Sequence, residues 1–196
     1  MTALPSIAPE IGPDVGPALL ELARSAIGRG PTGALPEPGT AGLPPRLASH
    51  RASFVTLTAG GRLRGCCGHL EPTGPLALDV WRSAHASAYR DSRFPPVARH
   101  EIPGLAVEIS VLDLPEPLAV GSEAELLAAV EPGRDGIIVA LGERRATFLP
   151  KVWSSLPEPA DFLRELRRKA GLPGDFWSEE LHWARYRVFA FCDRPR

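Results

Sequence analysis

The chain has 196 residues and 44% hydrophobic content, enough for one globular domain, or one domain with a small lobe. A formal net charge of −1 supplies no bulk positive field, which argues against nucleic acid and membrane surfaces as partners. Three cysteines, two of them adjacent, cannot make a disulfide framework, and no run approaches membrane-spanning length or a secretory leader, so a reducing cytoplasm is expected.

Residues 1–12 are Pro-rich and read as an arm before a single domain over 13–196. Asp14 is expected to cap a helix carrying Leu19, Leu20, Ala23, Ala26 and Ile27, ended by Gly28 and Gly30. Residues 31–45 are Pro/Gly punctuation, a long loop. Ser53–Gly68 reads as a tight hairpin turning at Gly60-Gly61. Leu76, Val80, Trp81, Ala84 and Ala88 recur at helical spacing, which predicts an amphipathic helix over Pro75–Tyr89. Leu105, Val107, Ile109 and Val111 alternate with Glu108 and Ser110 as in a half-buried strand.

Ser122 to Glu125 is a capping box opening a short helix. A second hairpin is expected around Gly142-Glu143, a helix over Asp161–Ala170, and one closing strand over His182–Cys192. Strands interrupted by single helices predict an α+β fold with a mainly antiparallel sheet and flanking helices.

Chemistry concentrates in Leu63-Arg64-Gly65-Cys66-Cys67-Gly68. Strand alternation puts Arg64 and Cys66 on one face and Leu63 and Cys67 on the other. A guanidinium two residues away favours a thiolate, so Cys66 is a candidate nucleophile; packed as a small hydrophobe it would be inert. Cys67 and Cys192 read as core. Arg64 suits either a carboxylate or phosphate ligand or a structural acid such as Glu108. Gly65 and Gly68 leave room for a ligand or for another backbone.

Asp91 and Arg93 either form a salt-bridged turn or bring Arg93 to an anion beside Arg64. His69, three residues past Cys66, is a weaker candidate as its base. The Cys66, Cys67 and His69 spacing lacks the separated pairs of a metal site, and no cofactor fingerprint is present, so neither metal nor cofactor is expected.

The same motif resembles the signature of the AMMECR-one domain family, whose bacterial members are called AmmeMemoRadiSam system protein A. Five further segments match in order: Phe54-Val55-Thr56-Leu57, Asp91-Ser92-Arg93-Phe94-Pro95, Val107 to Leu112, Phe148-Leu149-Pro150 with Val152, and Phe162-Leu163 through Lys169-Ala170-Gly171-Leu172. Cys67 stands where the family usually has an aliphatic residue, and His69 where it usually has a small polar one. The resemblance implies a two-lobed α+β fold. It also implies two partners, a Memo-like protein and a radical-SAM enzyme.

Two functions follow as expectations. One is a thiol-dependent enzyme or enzyme subunit with Cys66 and Arg64 around an anionic small molecule. The other is a non-catalytic binding module for a peptide, nucleotide or protein partner.

Overall fold

A computed structural model describes residues 11–39 and 41–193. Of the expected N-terminal arm, residues 1–10 lie outside that range, and Ile11 is already buried in the core. The fold is α+β: four α-helices and two four-stranded antiparallel sheets among the described residues. Contacts divide the chain into two compact units. One runs through Leu112 and resumes at Phe189; the other spans Asp113–Val188.

In the first unit, α1 (Gly16–Gly28) and α2 (Leu76–Tyr89) cover one face of a sheet ordered β2-β1-β3-β8. Its strands are β1 (Ser53–Ala59), β2 (Arg62–Gly68), β3 (Leu105–Leu112) and β8 (Val188–Asp193). Val55, Leu57, Val107, Ile109 and Val111 point into the core against Leu19, Ala23, Val80 and Ala84. Asp14 does not cap α1. A 3-10 turn over Pro13–Val15 precedes the helix, and Asp14 instead accepts from Arg46 Nη1 at 2.9 Å.

The first hairpin turns as the sequence predicts. Gly60 and Gly61 have φ of 55° and 76°, the left-handed pair of a two-residue turn that side chains disfavour. The register then breaks. Leu57 pairs with Gly65 but Thr58 pairs with Leu63, leaving Arg64 in a β-bulge. The bulge corrects the simple alternation: Leu63 opposes Thr58 and is exposed, whereas Cys67 opposes the buried Val55.

The second unit orders its strands β4-β7-β5-β6, from β4 (Glu116–Leu118), β5 (Gly136–Leu141), β6 (Arg144–Phe148) and β7 (His182–Tyr186). Its helices are α3 (Glu123–Ala129) and α4 (Pro159–Lys169). Phe162 of α4 stacks on Trp153 at 3.7 Å between ring centroids, forming the centre of this core with Leu126, Leu163 and Leu166. Ser122 caps α3 by accepting the Glu125 N–H at 3.2 Å, and Glu125 reaches back to the Gly121 N–H at 2.8 Å.

The expected single strand over 182–192 is two. It breaks at Arg187, with β7 in the second unit's sheet and β8 in the first unit's. Both halves share one strand-like pattern, so alternation alone does not reveal the change of sheet.

Candidate functional site

The hairpin motif is an edge strand whose outward backbone is clasped from α2's far end. Asp91 accepts the Cys66 N–H at 2.8 Å, and Arg93 Nη2 donates to the Cys66 carbonyl at 3.1 Å. The two side chains also bind each other, Arg93 Nε to Asp91 Oδ1 at 2.9 Å and Nη2 to Oδ2 at 2.7 Å. Arg93 therefore holds the Asp91 carboxyl well below the ordinary carboxylate range, and the carboxylate raises the guanidinium in turn. This pair is the salt-bridged turn of the two readings, and it also blocks a free sheet edge.

Arg64 is committed as well. Its Nε and Nη2 meet Glu101 at 2.9 and 3.0 Å, and Nη1 donates to the Pro95 carbonyl at 2.9 Å. The charge cluster expected of Arg64, Arg93 and Glu108 is absent: Glu101 takes the place assigned to Glu108. Glu108 is exposed and accepts from Cys192 Sγ at 3.3 Å, and Cys192 is itself exposed rather than core. Glu101 lies at the end of a loop, where no periodicity announces a partner.

Arg64 pulls the Glu101 pKa down to about 2, and the Ala98 N–H, donating at 2.7 Å, adds to that. A carboxyl depressed in the folded state stabilises fully above its unfolded value near 4.5 and loses that contribution as pH falls towards 2. Glu101→Gln should therefore lower stability at neutral pH by about 1 kcal/mol. It should also flatten the stability curve between pH 4.5 and 2, read by urea melts across that range. An unchanged slope would show that the pair contributes nothing.

The glycines are filled by backbone. A Cβ on Gly65 would stand 2.0 Å from the Ser87 carbonyl oxygen, and one on Gly68 2.2 Å from that of Ser53. Of the two openings expected for them, close approach of other backbone is the one realised. Ser87 reinforces the contact: its Oγ accepts the Cys67 N–H at 2.8 Å and lies 2.7 Å from the Val55 carbonyl.

The three motif side chains that bear on chemistry separate by face. Cys66 opposes Thr56, whose hydroxyl donates to its sulfur at 3.4 Å. Cys67 and His69 turn to the α2 side, so His69 is placed beside Cys67 and not beside Cys66. Cys67, expected in the core, is half-buried and faces a cavity of about 420 Å³. Burial and the Asp91 charge push its thiol pKa up.

His69, Ser83, Arg82, His85 and Arg90 also line that cavity, and no carboxylate does. His69 Nδ1 lies 3.2 Å from Asp79 Oδ1, and buried Asp79 also accepts from the Ser53 N–H at 2.9 Å, its hydroxyl at 2.6 Å and Thr73 at 3.1 Å. His85 donates through Nε2 to the Gly30 carbonyl at 3.0 Å. The apolar stripe predicts α2 but not its site; Asp79, Arg82, Ser83 and His85, polar groups inside that apolar pattern, carry the signal.

Comparison with known proteins settles the family. The AMMECR1 family model matches residues 20–191. The chain belongs to the AMMECR1 family. A protein of Methanothermobacter thermautotrophicus is 40% identical over 151 residues, covering 76% of this chain and 79% of that relative. A protein of Methanosarcina acetivorans is 41% identical over 150 residues, 75% of each.

The crystal structure of the uncharacterised protein PH0010 from Pyrococcus horikoshii superposes with a TM-score of 0.79 at 36% identity over 95% of both chains. The AMMECR1 match includes the hairpin motif, the Asp91–Arg93 clasp and every residue of the cavity wall. Among the described residues no group of three or more potential metal ligands comes together, and no helix is long and apolar enough to cross a membrane.

Proposed function

We propose that this AMMECR1-family protein binds a small anionic molecule in the cavity between α2 and the end of β2, as an enzyme subunit serving the Memo-like and radical-SAM partners that the resemblance implies. One observation carries the reading: two arginines, two histidines, a serine hydroxyl and a thiol surround about 420 Å³ with no carboxylate among them. That volume falls in the range of small-ligand pockets. Arg82 is half-exposed and pairs with the outlying Glu37 at 3.2 Å, while Arg90 reaches the Gly33 carbonyl at 3.5 Å. Both forks can turn to a ligand, unlike those of Arg64 and Arg93. The hairpin motif then serves as the rigid wall on which the site is built.

Thermal shift with succinate, phosphate and a nucleoside monophosphate tests this. A ligand at 100 times its dissociation constant stabilises by about 2.7 kcal/mol. The double change Arg82→Ala with Arg90→Ala should weaken binding at least about tenfold, since each charge-assisted hydrogen bond is worth about 1.5–3 kcal/mol. Arg134→Ala, on the second unit's surface, should leave binding as it is. If no anion moves the melt while a Memo-like or radical-SAM protein is captured, the binding-module reading replaces this one.

A further inference from the structure

Cys67 shares the cavity with a base and an unsatisfied hydroxyl, and a buried acid stands behind that base. Asp79 is buried within α2 and fixed by Ser53 and Thr73, so it cannot swing away from His69. An imidazole that donates its Nδ1 proton to a carboxylate keeps Nε2 as an acceptor. Cys67 on β2 and His69, the first residue past that strand, both line the cavity. Ser83 lines it too, only 1% exposed, and its hydroxyl has no hydrogen-bond partner among the described residues. A buried unsatisfied hydroxyl costs stability unless something else meets it. A ligand oxygen in the cavity would.

Resting on the anion-binding reading above, we propose that Cys67 is a nucleophilic thiol, with His69 as its base, that takes the acyl group of an activated small anionic ester or thioester held by Arg82 and Arg90.

His69 Nε2 accepts the Cys67 proton as the sulfur lone pair forms an S–C bond to the acyl carbon. Ser83 donates to the oxygen on which negative charge develops. The bond from carbon to the leaving oxygen or sulfur breaks with its electron pair, and the His69 imidazolium protonates that group. Water, giving a proton to His69, then attacks the thioester carbon; the S–C bond breaks with its electron pair on sulfur, the sulfur takes that proton, and the acyl group leaves as its carboxylic acid. Nothing is oxidised or reduced. Asp79 is a positioning residue that keeps the imidazole in the useful tautomer. Burial and Asp91 hold Cys67 as a thiol at rest, so a base is required.

The probe is the mono-4-nitrophenyl ester of terephthalic acid, whose free carboxylate cannot reach its own ester carbon, set against neutral 4-nitrophenyl benzoate. The full chain should release one nitrophenolate per molecule in a burst, faster with the terephthalate ester. Fragmentation mass spectrometry should place the carboxybenzoyl group on Cys67. Cys67→Ala should abolish the burst, and His69→Gln should slow it at least about 100-fold. Cys192→Ser should leave it unchanged.

His69 is half-exposed, and an unshifted melting temperature in His69→Gln separates lost chemistry from lost fold. The acyl group on Cys66, a burst that survives Cys67→Ala, no burst, or equal rates for the two esters each overturns the proposal. Succinate binding to the Cys67→Ala protein, read by thermal shift, keeps the anion-site reading standing even when acylation fails.

Discussion

Replacing Gly65 by alanine should unfold the first unit's hairpin from α2, at a cost of about 3 kcal/mol or more. The added methyl would stand 2.0 Å from the Ser87 carbonyl oxygen, a backbone atom that no rotamer change can move. Relief requires the helix to shift. That shift would also break the Ser87 hydroxyl's contacts at 2.8 Å with the Cys67 N–H and 2.7 Å with the Val55 carbonyl. Gly28→Ala is the matched control, because nothing lies within 4 Å of its added methyl and alanine favours the helix it sits in. Urea melts of the two variants should differ by the full amount. Equal midpoints would mean that α2 is not seated on Gly65 as described.

Asp79→Ala should be as damaging, at about 4 kcal/mol, for a different reason. The carboxylate is buried and receives four donors, two of them the amide and hydroxyl of Ser53, which is itself fully buried. Removing it strands both Ser53 groups without water, at about 1–3 kcal/mol each. Asp79→Asn keeps one oxygen to accept with and should lose about half as much. Hydrogen exchange at the Ser53 amide gives the site-specific readout: protection should collapse in the alanine variant and survive partly in the asparagine one. Full protection in both would place the energy elsewhere.

Much of the architecture is written in periodicity. The Gly60-Gly61 turn, the 3.6-residue spacing of Leu76, Val80 and Ala84, and the alternation from Leu105 to Val111 are local patterns, and each produces its element. What they cannot encode is where an element goes. The bulge at Arg64 depends on how β2 lies against β1, so Leu63 faces away from the side that simple alternation assigns it. Glu101 became the partner of Arg64 through tertiary approach of a loop, while Glu108, better placed by strand logic, meets Cys192 instead.

The cavity was hidden for a related reason. Its walls come from β2, α2 and the loop after α1, three segments whose contributions are unremarkable one at a time. The polar residues of α2 and the Cys67 and His69 pair each give a partial signal, and no single segment joins them.

The order of synthesis inverts the order of completion in this molecule. The first unit's sheet needs β8, and Phe191 of that strand packs over Gly16 while Asp193 pairs with Arg24 Nε at 2.5 Å. Those residues leave the ribosome after the whole of Asp113–Val188. The inserted unit thus has all its strands and both its helices in hand while the earlier-made half still waits with β3 as an open edge. A nascent chain stalled just short of Phe189 would carry a finished second unit and an incomplete first one. The first unit, begun earliest, is the last to be closed at its sheet edge.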